Sequence, residues 1–514
     1  MTRIASPVFR PIATLAFCAA VGLAATPGAA SVVEIKKNGS AFQLLRDGQP
    51  YLAKGVAGGS GYLDKLVAAG GNTVRTYGAD KYTLDKAQAA GVAVLVGISG
   101  TDLASAKLSV TTYKDHSAVL MWGLGNEMEL QTTNTTALWQ GVETIAAAVK
   151  LIDPNHPIIT VVAELGGTKL ADIKRLCPSL DAIGVNSYGS AGTLATRVPA
   201  GGWDKAFLVT EFGPKGHWEV PKTAWGLPIE PTSTEKADTY LASYRSLAAA
   251  PACLGTFAFL WGQKQEKTHT WYGMFMADGT PLSPVEAMTE AWTGAAPANK
   301  GPRIGAGKVK MGPGDGSQRR FQPGAQVICQ LDVADPDGPM PTVTWDLRVD
   351  VSDNPGQGGA PEPNSKPIPE AILKNSGADA MVQIPDSIGH YRLFAYAKDA
   401  VSGWMATANA PIDVAKDAPA VPGAIFDKAW GRDALRPVPG ANGTLKALSL
   451  TLSQPERVTL MGYAANGSLA ANVPMGRLAP GTHVFPLPKR STASPVLWEV
   501  RLGSGLKLQC LPAR

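Results

Sequence analysis

The sequence predicts a (β/α)8 TIM barrel of the α/β class, followed by two β-rich, sandwich-like domains. Three observations carry this. Between residues 50 and 262, eight short apolar runs appear, with Ala-rich helical stretches between most of them. The runs are nearly continuous in apolar residues, as in strands buried on both faces of a parallel sheet. Past residue 293 the character changes to Gly/Pro-rich joints and short alternating segments with turn signals. At 514 residues, with 45% hydrophobic side chains, the chain is too long for one ordinary domain and has apolar mass enough for several cores.

The strand candidates are YLAKGVA (51–57), NTVRTYG (72–78), VAVLVGI (92–98), AVLMWGL (118–124), PIITVVA (157–163), AIGVNSY (182–188), AFLVTEF (206–212) and GTFAFLW (255–261). Helical patterns follow the first five, near 62–70, 82–91, 101–114, 135–151 and 168–176. The sixth run leads into a short connection, and the seventh precedes a helix near 235–249. Eight such units in sequence fit a closed barrel better than an open sheet. The expected boundaries are a barrel over 31–295, a linker over 296–304, an immunoglobulin-like β-sandwich over 305–415 and a second β-rich domain over 420–514. The whole stretch from Thr293 to Gly316 reads as linker. The two C-terminal domains either hold carbohydrate or simply pack on the barrel.

Residues 1–30 read as an export signal. Arg3 and Arg10 form a basic start, IATLAFCAAVGLAA is a short apolar run, and small residues before Ser31 suit cleavage. The run is shorter than the ~20 residues of a spanning helix, and no later segment reaches that length. The expectation is an exported protein, periplasmic or secreted, with no transmembrane segment. Cys18 stands where a lipoprotein anchor would need it, but Phe17 fits such a box poorly. The net charge of +5 comes without a dense Lys/Arg block, which speaks against a nucleic-acid partner. Cys177, Cys253, Cys329 and Cys510 allow three pairings and show no metal-like spacing. No metal and no organic cofactor is expected, and oligomeric state is not legible.

In a β/α barrel, function sits at the C-terminal ends of the strands. Glu127 lies just beyond strand four and Glu211 at the end of strand seven. Arg75, Tyr188 and Trp261 stand at the ends of strands two, six and eight. A single glutamate is more often a solvated charge or half of a salt bridge. Two at the ends of apolar strands, among Arg, Asn, Tyr and Trp, fit cleavage of a glycosidic bond. One would protonate the leaving oxygen, and the other would attack the anomeric carbon or activate water.

The segment KDHSAVLMWGLGNE (114–127) resembles the acid/base strand of clan A glycoside hydrolases, especially glycoside hydrolase family 2. It has Ser117 directly after His116, without the usual Pro. GGNTVRTYGAD (70–80) resembles strand two of that family and of fungal β-1,3-glucanosyltransferases. AIGVNSYG and FLVTEFG resemble their strands six and seven. FLWGQ and WYGMFMADGTPLSPVEAM resemble the end of strand eight in family 2. The resemblance spans about residues 50–295.

Position by position, it implies that Glu127 is the general acid/base and Glu211 the nucleophile. Asn126 would bond the sugar 2-hydroxyl, Arg75 would hold Glu211 charged, Tyr188 would place Glu211, and Trp261 would form the apolar floor under the ring. Tyr77, Trp218 and Trp271 are candidates for further subsites. His217 and His269 are weaker ones, Glu129 reads as a rim charge, and Trp122 reads as core. Family 2 enzymes usually place two β-rich domains before the barrel, whereas here the β modules follow it. The implied function is a retaining β-glycoside hydrolase acting on a polysaccharide or oligosaccharide, with a lean toward β-glucan. A transglycosylase on the same site, or an inactive carbohydrate-binding envelope protein, are the competing readings.

Overall fold

A computed structural model describes residues 30–312, 316–354, 362–419 and 421, and then the segments 434–439, 445–452, 456–463, 469–479, 481–486, 497–502 and 507–510. Residues 1–29, which hold all but the last residue of the expected export signal and include Cys18, lie outside the described residues.

The chain opens with an antiparallel meander, β1 (Val33–Asn38), β2 (Ala41–Arg46) and β3 (Gln49–Tyr51). These strands are not among the sequence expectations, although Asn38-Gly39 and Asp47-Gly48 are hairpin signals. Asp47 and Gly48 both have positive φ, 53° and 74°, as a two-residue turn between paired Arg46 and Gln49 requires. Val33 and Leu44 join the apolar cluster inside the barrel. The meander therefore plugs the end opposite the site. Ser31 anchors it by donating to the Val119 carbonyl at 2.6 Å and lying 3.0 Å from His156 Nε2. His156 Nδ1 in turn meets Asp153, which also accepts from the indole of Trp122. Trp122 is thus core, as expected.

Eight parallel strands close the barrel: β4 (Ala53–Ala57), β5 (Thr73–Arg75), β6 (Ala93–Ile98), β7 (Val119–Leu124), β8 (Ile158–Val162), β9 (Ala182–Asn186), β10 (Ala206–Phe212) and β11 (Cys253–Phe259). β11 pairs in parallel with both β10 and β4, so the sheet has no free edge. Every residue of β6, β7 and β10 is buried, which explains their continuous apolar runs. Period-two alternation divides them between two cores. Val94 and Val96 pack outward toward the helices, while Ala93 and Leu95 fill the lumen.

The helices are α1 (Leu63–Ala68), α2 (Lys81–Ala89), α3 (Leu103–Tyr113), α4 (Thr135–Ile152), α5 (Lys169–Leu176), α6 (Leu194–Ala200), α7 (Ser233–Ala248) and α8 (Ser283–Thr293). Asp80, Asp102 and Asn134 cap α2, α3 and α4, and Thr232 with Glu235 forms a capping box on α7. The short connection expected after the sixth strand contains α6. At seven residues with Pro199 inside, α6 is too short to show a helical period, and it holds on by burying Leu194 and Val198.

Eight further strands form a sandwich of two four-stranded sheets: β12 (Arg303–Met311), β13 (Arg320–Phe321), β14 (Gln326–Ala334), β15 (Thr342–Val349), β16 (Ile372–Ser376), β17 (Asp379–Gln383), β18 (Gly389–Lys398) and β19 (Met405–Val414). The sheet orders are β12-β14-β17-β16 and β13-β19-β18-β15. This corrects the linker. β12 occupies much of the Gly-rich stretch from 293 to 316, pairing antiparallel with β14 and burying Val309 and Met311. Its glycines answer to packing, since a Cβ at Gly305 would stand 2.4 Å from Asp332 Oδ2.

The last region contains β20 (Ala434–Pro439), β21 (Leu445–Leu452), β22 (Glu456–Tyr463), β23 (Leu469–Leu478), β24 (Gly481–Pro486), β25 (Leu497–Leu502) and β26 (Lys507–Cys510). They form two sheets over a small core that includes Leu448, Leu450 and Val500. Cys177, Cys253 and Cys329 are free and buried, and the Cys510 side chain lies outside the described residues. Among the described residues, no helix is long and apolar enough to cross a membrane.

The sandwich grips the barrel through polar contacts. Arg392 donates to the Pro228 carbonyl at 3.1 Å and pairs with Asp350. Asn409 donates to Glu230 at 2.7 Å, and Glu230 is ion-paired with Lys236 on α7. The Met405 amide donates to the Pro281 carbonyl at 3.0 Å. These contacts fasten the long segments after β10 and β11, which carry the aromatic wall of the site.

Candidate active site

The strand ends bring Arg75, Tyr77, Asn126, Glu127, Asn186, Tyr188 and Glu211 into one hydrogen-bonded cluster. Glu127 follows β7 with φ at 50°, a left-handed conformation uncommon for a residue with a side chain. Gly125 before it has φ at 67°, and a Cβ there would lie 2.3 Å from the Met128 sulfur. The Glu127 amide donates to the Val161 carbonyl of β8 at 2.9 Å, which fixes the turn. The observed outlier is consistent with a side chain held for a task.

Glu211 is buried, and three donors converge on its carboxylate. Arg75 reaches Oε1 at 2.9 Å, Tyr77 reaches Oε1 at 2.6 Å and Tyr188 reaches Oε2 at 2.7 Å. All three are donors, and one of them, the Arg75 guanidinium, is also the cation of a buried ion pair. Removal from water and the Glu211 charge push both tyrosine hydroxyls well above their usual pKa, so they remain donors. Arg75 also donates to Asn126 at 2.6 Å and to the Thr210 carbonyl at 3.0 Å.

Glu127 is held differently. Its carboxyl accepts one side-chain bond, from Asn186 Nδ2 at 2.8 Å. Burial raises its pKa, the Glu211 charge raises it further, and the Asn186 amide opposes both. Asn186 is the junction of the cluster. It donates also to Asn126 at 3.0 Å and accepts from Thr210 at 2.8 Å. Asn186 is absent from the sequence candidates, although it ends an apolar strand in AIGVNSY just as Glu127 follows one.

The aromatic candidates separate. Tyr77 is 47% exposed as a residue, while its hydroxyl holds Glu211 and the Arg75 guanidinium lies over its ring. Trp218 is 59% exposed and meets Tyr188 edge-on, with ring centroids 5.6 Å apart, so it is open to a ligand. Trp261 is not. It is 2% exposed, donates to the Tyr62 carbonyl at 3.0 Å and packs edge-on to Phe275 in the layer under the helices. A ring without an accessible face makes no floor for a sugar. Phe259, at the end of β11, is the partly exposed ring there, with its centroid 6.0 Å from that of Tyr188.

Trp271 is buried, with its indole on the Lys215 carbonyl at 3.1 Å, so it lines no subsite. His217 lies 3.2 Å from the Tyr272 hydroxyl, and burial lowers its pKa. His269 faces Tyr396 of the sandwich at 2.8 Å, and burial pulls its pKa down to about 4. Glu129 is not a rim charge. It pairs with Lys169 at 2.8 Å and accepts the Ala163 amide at 2.8 Å.

No protein-family model and no curated protein matches the chain. Among solved structures it is similar to β-glucuronidase 3 of Bacteroides uniformis, at 12% identity and a TM-score of 0.40 over 94% of this chain and 65% of that one. It is also similar to a β-glucuronidase from Ruminococcus gnavus in complex with D-glucuronic acid, at 17% identity and a TM-score of 0.40 over 51% and 52%. A third is a GH2 β-galacturonidase from Eisenbergiella tayi bound to glycerol, at 14% identity and a TM-score of 0.41 over 52% and 54%. The chain spans less than two thirds of each of these three. The barrel assignment rests on the strand pairing of this chain.

Proposed function

We propose that the chain is an exported retaining β-glycoside hydrolase working by double displacement on a polysaccharide or oligosaccharide. One observation carries the reading: two glutamates at barrel strand ends have opposite surroundings, Glu211 gripped by three donors and Glu127 desolvated beside its charge. A fixed anion next to an acid whose pKa is raised is the pairing that glycoside cleavage needs.

In the first step Glu211 attacks the anomeric carbon. The bond to the leaving oxygen breaks as Glu127 gives that oxygen its proton. The product is a glycosyl ester on Glu211 and a Glu127 carboxylate. In the second step water gives a proton to Glu127 and attacks the same carbon, freeing Glu211. Esterification removes the Glu211 charge, and with it one of the causes that raise the Glu127 pKa. Glu127 is thereby readied to act as a base. The TVRTYGAD likeness leans the substrate toward β-glucan, and the pattern of residues 1–30 supports export to the periplasm or medium.

The test uses aryl β-glycosides with a good leaving group. Glu211→Ala should lose turnover, with azide restoring cleavage to a product of inverted configuration. Glu127→Ala should keep its first step, stall in the second, and be accelerated by azide with retained configuration. Exchanged stereochemistry would swap the two roles, and full activity in both variants would remove the assignment.

A further inference from the structure

A cavity of about 840 Å³ opens beside the cluster. Its inner wall is Arg75, Tyr77 and Asn126, the residues that hold Glu211 and Asn186. From there it runs across the mouths of β5, β6 and β7, between α3 and the segment leading into α4. Its volume is in the range of ligand sites. The functional reading above places nothing in it.

Apart from Arg75 its lining is uncharged, and much of it is small. Glycines at 97, 123 and 125 leave the floor bare, and Ser105, Ser109 and Gln131 line the outer walls. Among the described residues, those three side chains have no protein hydrogen-bond partner and offer hydroxyl and amide groups to a ligand. Arg75 is the sole charged residue of the lining, and its guanidinium is engaged by Glu211, Asn126 and the Thr210 carbonyl.

The N-termini of α3 and α4 border the cavity and would attract anions. Both are already capped from within. The Asp102 carboxylate accepts the Ala104 and Ser105 amides, and Asn134 accepts the Ala137 amide. Asp102 adds a negative charge where an anionic ligand would want a positive one.

We propose that this cavity is a binding groove for neutral sugar residues next to the bond being cleaved, so that the enzyme acts on an uncharged glycan chain and discriminates against uronic acids there. The inference rests on the glycosidase reading and specifies its substrate class. Hydroxyl-rich rings find donors and acceptors along both walls, while a carboxylate finds no uncommitted cation among the lining residues and must give up its hydration.

The experiment measures kcat/KM on neutral β-linked gluco-, manno- and galacto-oligosaccharides of increasing length, and on chains of matched length carrying uronic acid. For the neutral series that is cleaved, kcat/KM should rise by about tenfold or more as the chain grows to fill the groove, and matched uronate chains should gain little. Ser105→Trp and Ser109→Trp, which fill the groove from α3, should flatten that rise while the melting midpoint stays near that of the parent. Length-independent kcat/KM, an equal gain for uronate chains, or an undiminished rise in both Trp variants overturns the groove and leaves the glycosidase reading standing. If neither aryl glycosides nor oligosaccharides are turned over, that reading falls. Calorimetric titration with the same neutral oligosaccharides then decides the groove: binding that strengthens with length and is lost in Ser109→Trp upholds it, and absent binding overturns it.

Discussion

The ends of β7 and β10 each carry a glutamate, and the two are built in opposite ways. Glu211 lies within its strand, almost out of water, with an arginine and two tyrosines on its oxygens. Glu127 lies just past its strand on a left-handed residue, with one amide donor and partial exposure. On the proposed reading, the difference lets one side-chain type supply two chemical roles. Donors that stabilise charge make a nucleophile, and desolvation beside a like charge makes an acid. The barrel provides the difference by placing partners on separate strands: Arg75 from β5, Asn186 from β9 and Tyr188 just beyond it.

The largest effect should come from taking away the cation. Arg75 and Glu211 form a buried pair, with side chains 2% and 7% exposed. Arg75→Met leaves a buried carboxylate without its partner, a change that typically costs about 3–5 kcal/mol. Chemical denaturation should show that loss, and turnover should fall with it. The double variant Arg75→Met/Glu211→Gln should recover much of the stability and none of the activity. If the double variant is as unstable as Arg75→Met, packing around the arginine matters more than charge.

Next is the coupling between the two carboxyls. Glu211→Gln should abolish turnover, and it should also move the Glu127 titration downward, because one cause of its raised pKa is the Glu211 charge. Carboxyl-carbon NMR on the variant reads this directly. An unmoved Glu127 titration would mean that burial alone sets its value, and the proposed change of role between the two steps would lose its driving force.

Smaller effects should follow from single donors. Tyr188→Phe and Tyr77→Phe each remove one hydrogen bond to the Glu211 anion, a kind worth about 1.5–3 kcal/mol. Turnover should fall by roughly ten- to a hundredfold in each, with a larger change in kcat than in KM if the bond strengthens only as charge shifts. Tyr77 is the sharper case because it also lines the neighbouring groove. Tyr77→Ala, which removes the ring as well as the hydroxyl, should affect long substrates more than aryl glycosides.

These contrasts also explain what the sequence discloses. The barrel strands are readable because burial on both faces forces continuous apolar runs, and the glutamates are readable because they interrupt that pattern. β12 is hidden by glycines whose reason is the Asp332 side chain on a neighbouring strand. Trp261 and Phe259 are both aromatics at the end of β11, and which one faces the site is decided by the chain path after the strand. Exposure is a tertiary property, so a carry-over by position along the chain could not tell them apart. The groove is illegible for the same reason, because its lining comes from four separate segments and only its inner wall, Arg75, Tyr77 and Asn126, lies in a motif.

Asn186 gives the subtlest test, because it touches Glu127 without supplying charge. Its Nδ2 donates to the Glu127 carboxyl, which favours the ionised form and partly offsets the upward push from burial and from Glu211. Asn186→Ala removes that offset. The Glu127 pKa should then rise further, so the acid form persists to higher pH. The basic limb of the kcat/KM profile on substrates with poor leaving groups, which reports loss of that proton, should therefore move to higher pH. Glu211 keeps its three direct donors in the variant. A purely structural role for Asn186 would lower the whole bell without displacing its basic side. A basic limb moving to lower pH would mean that Asn186 supports the neutral acid rather than the carboxylate, reversing the effect assigned to its amide.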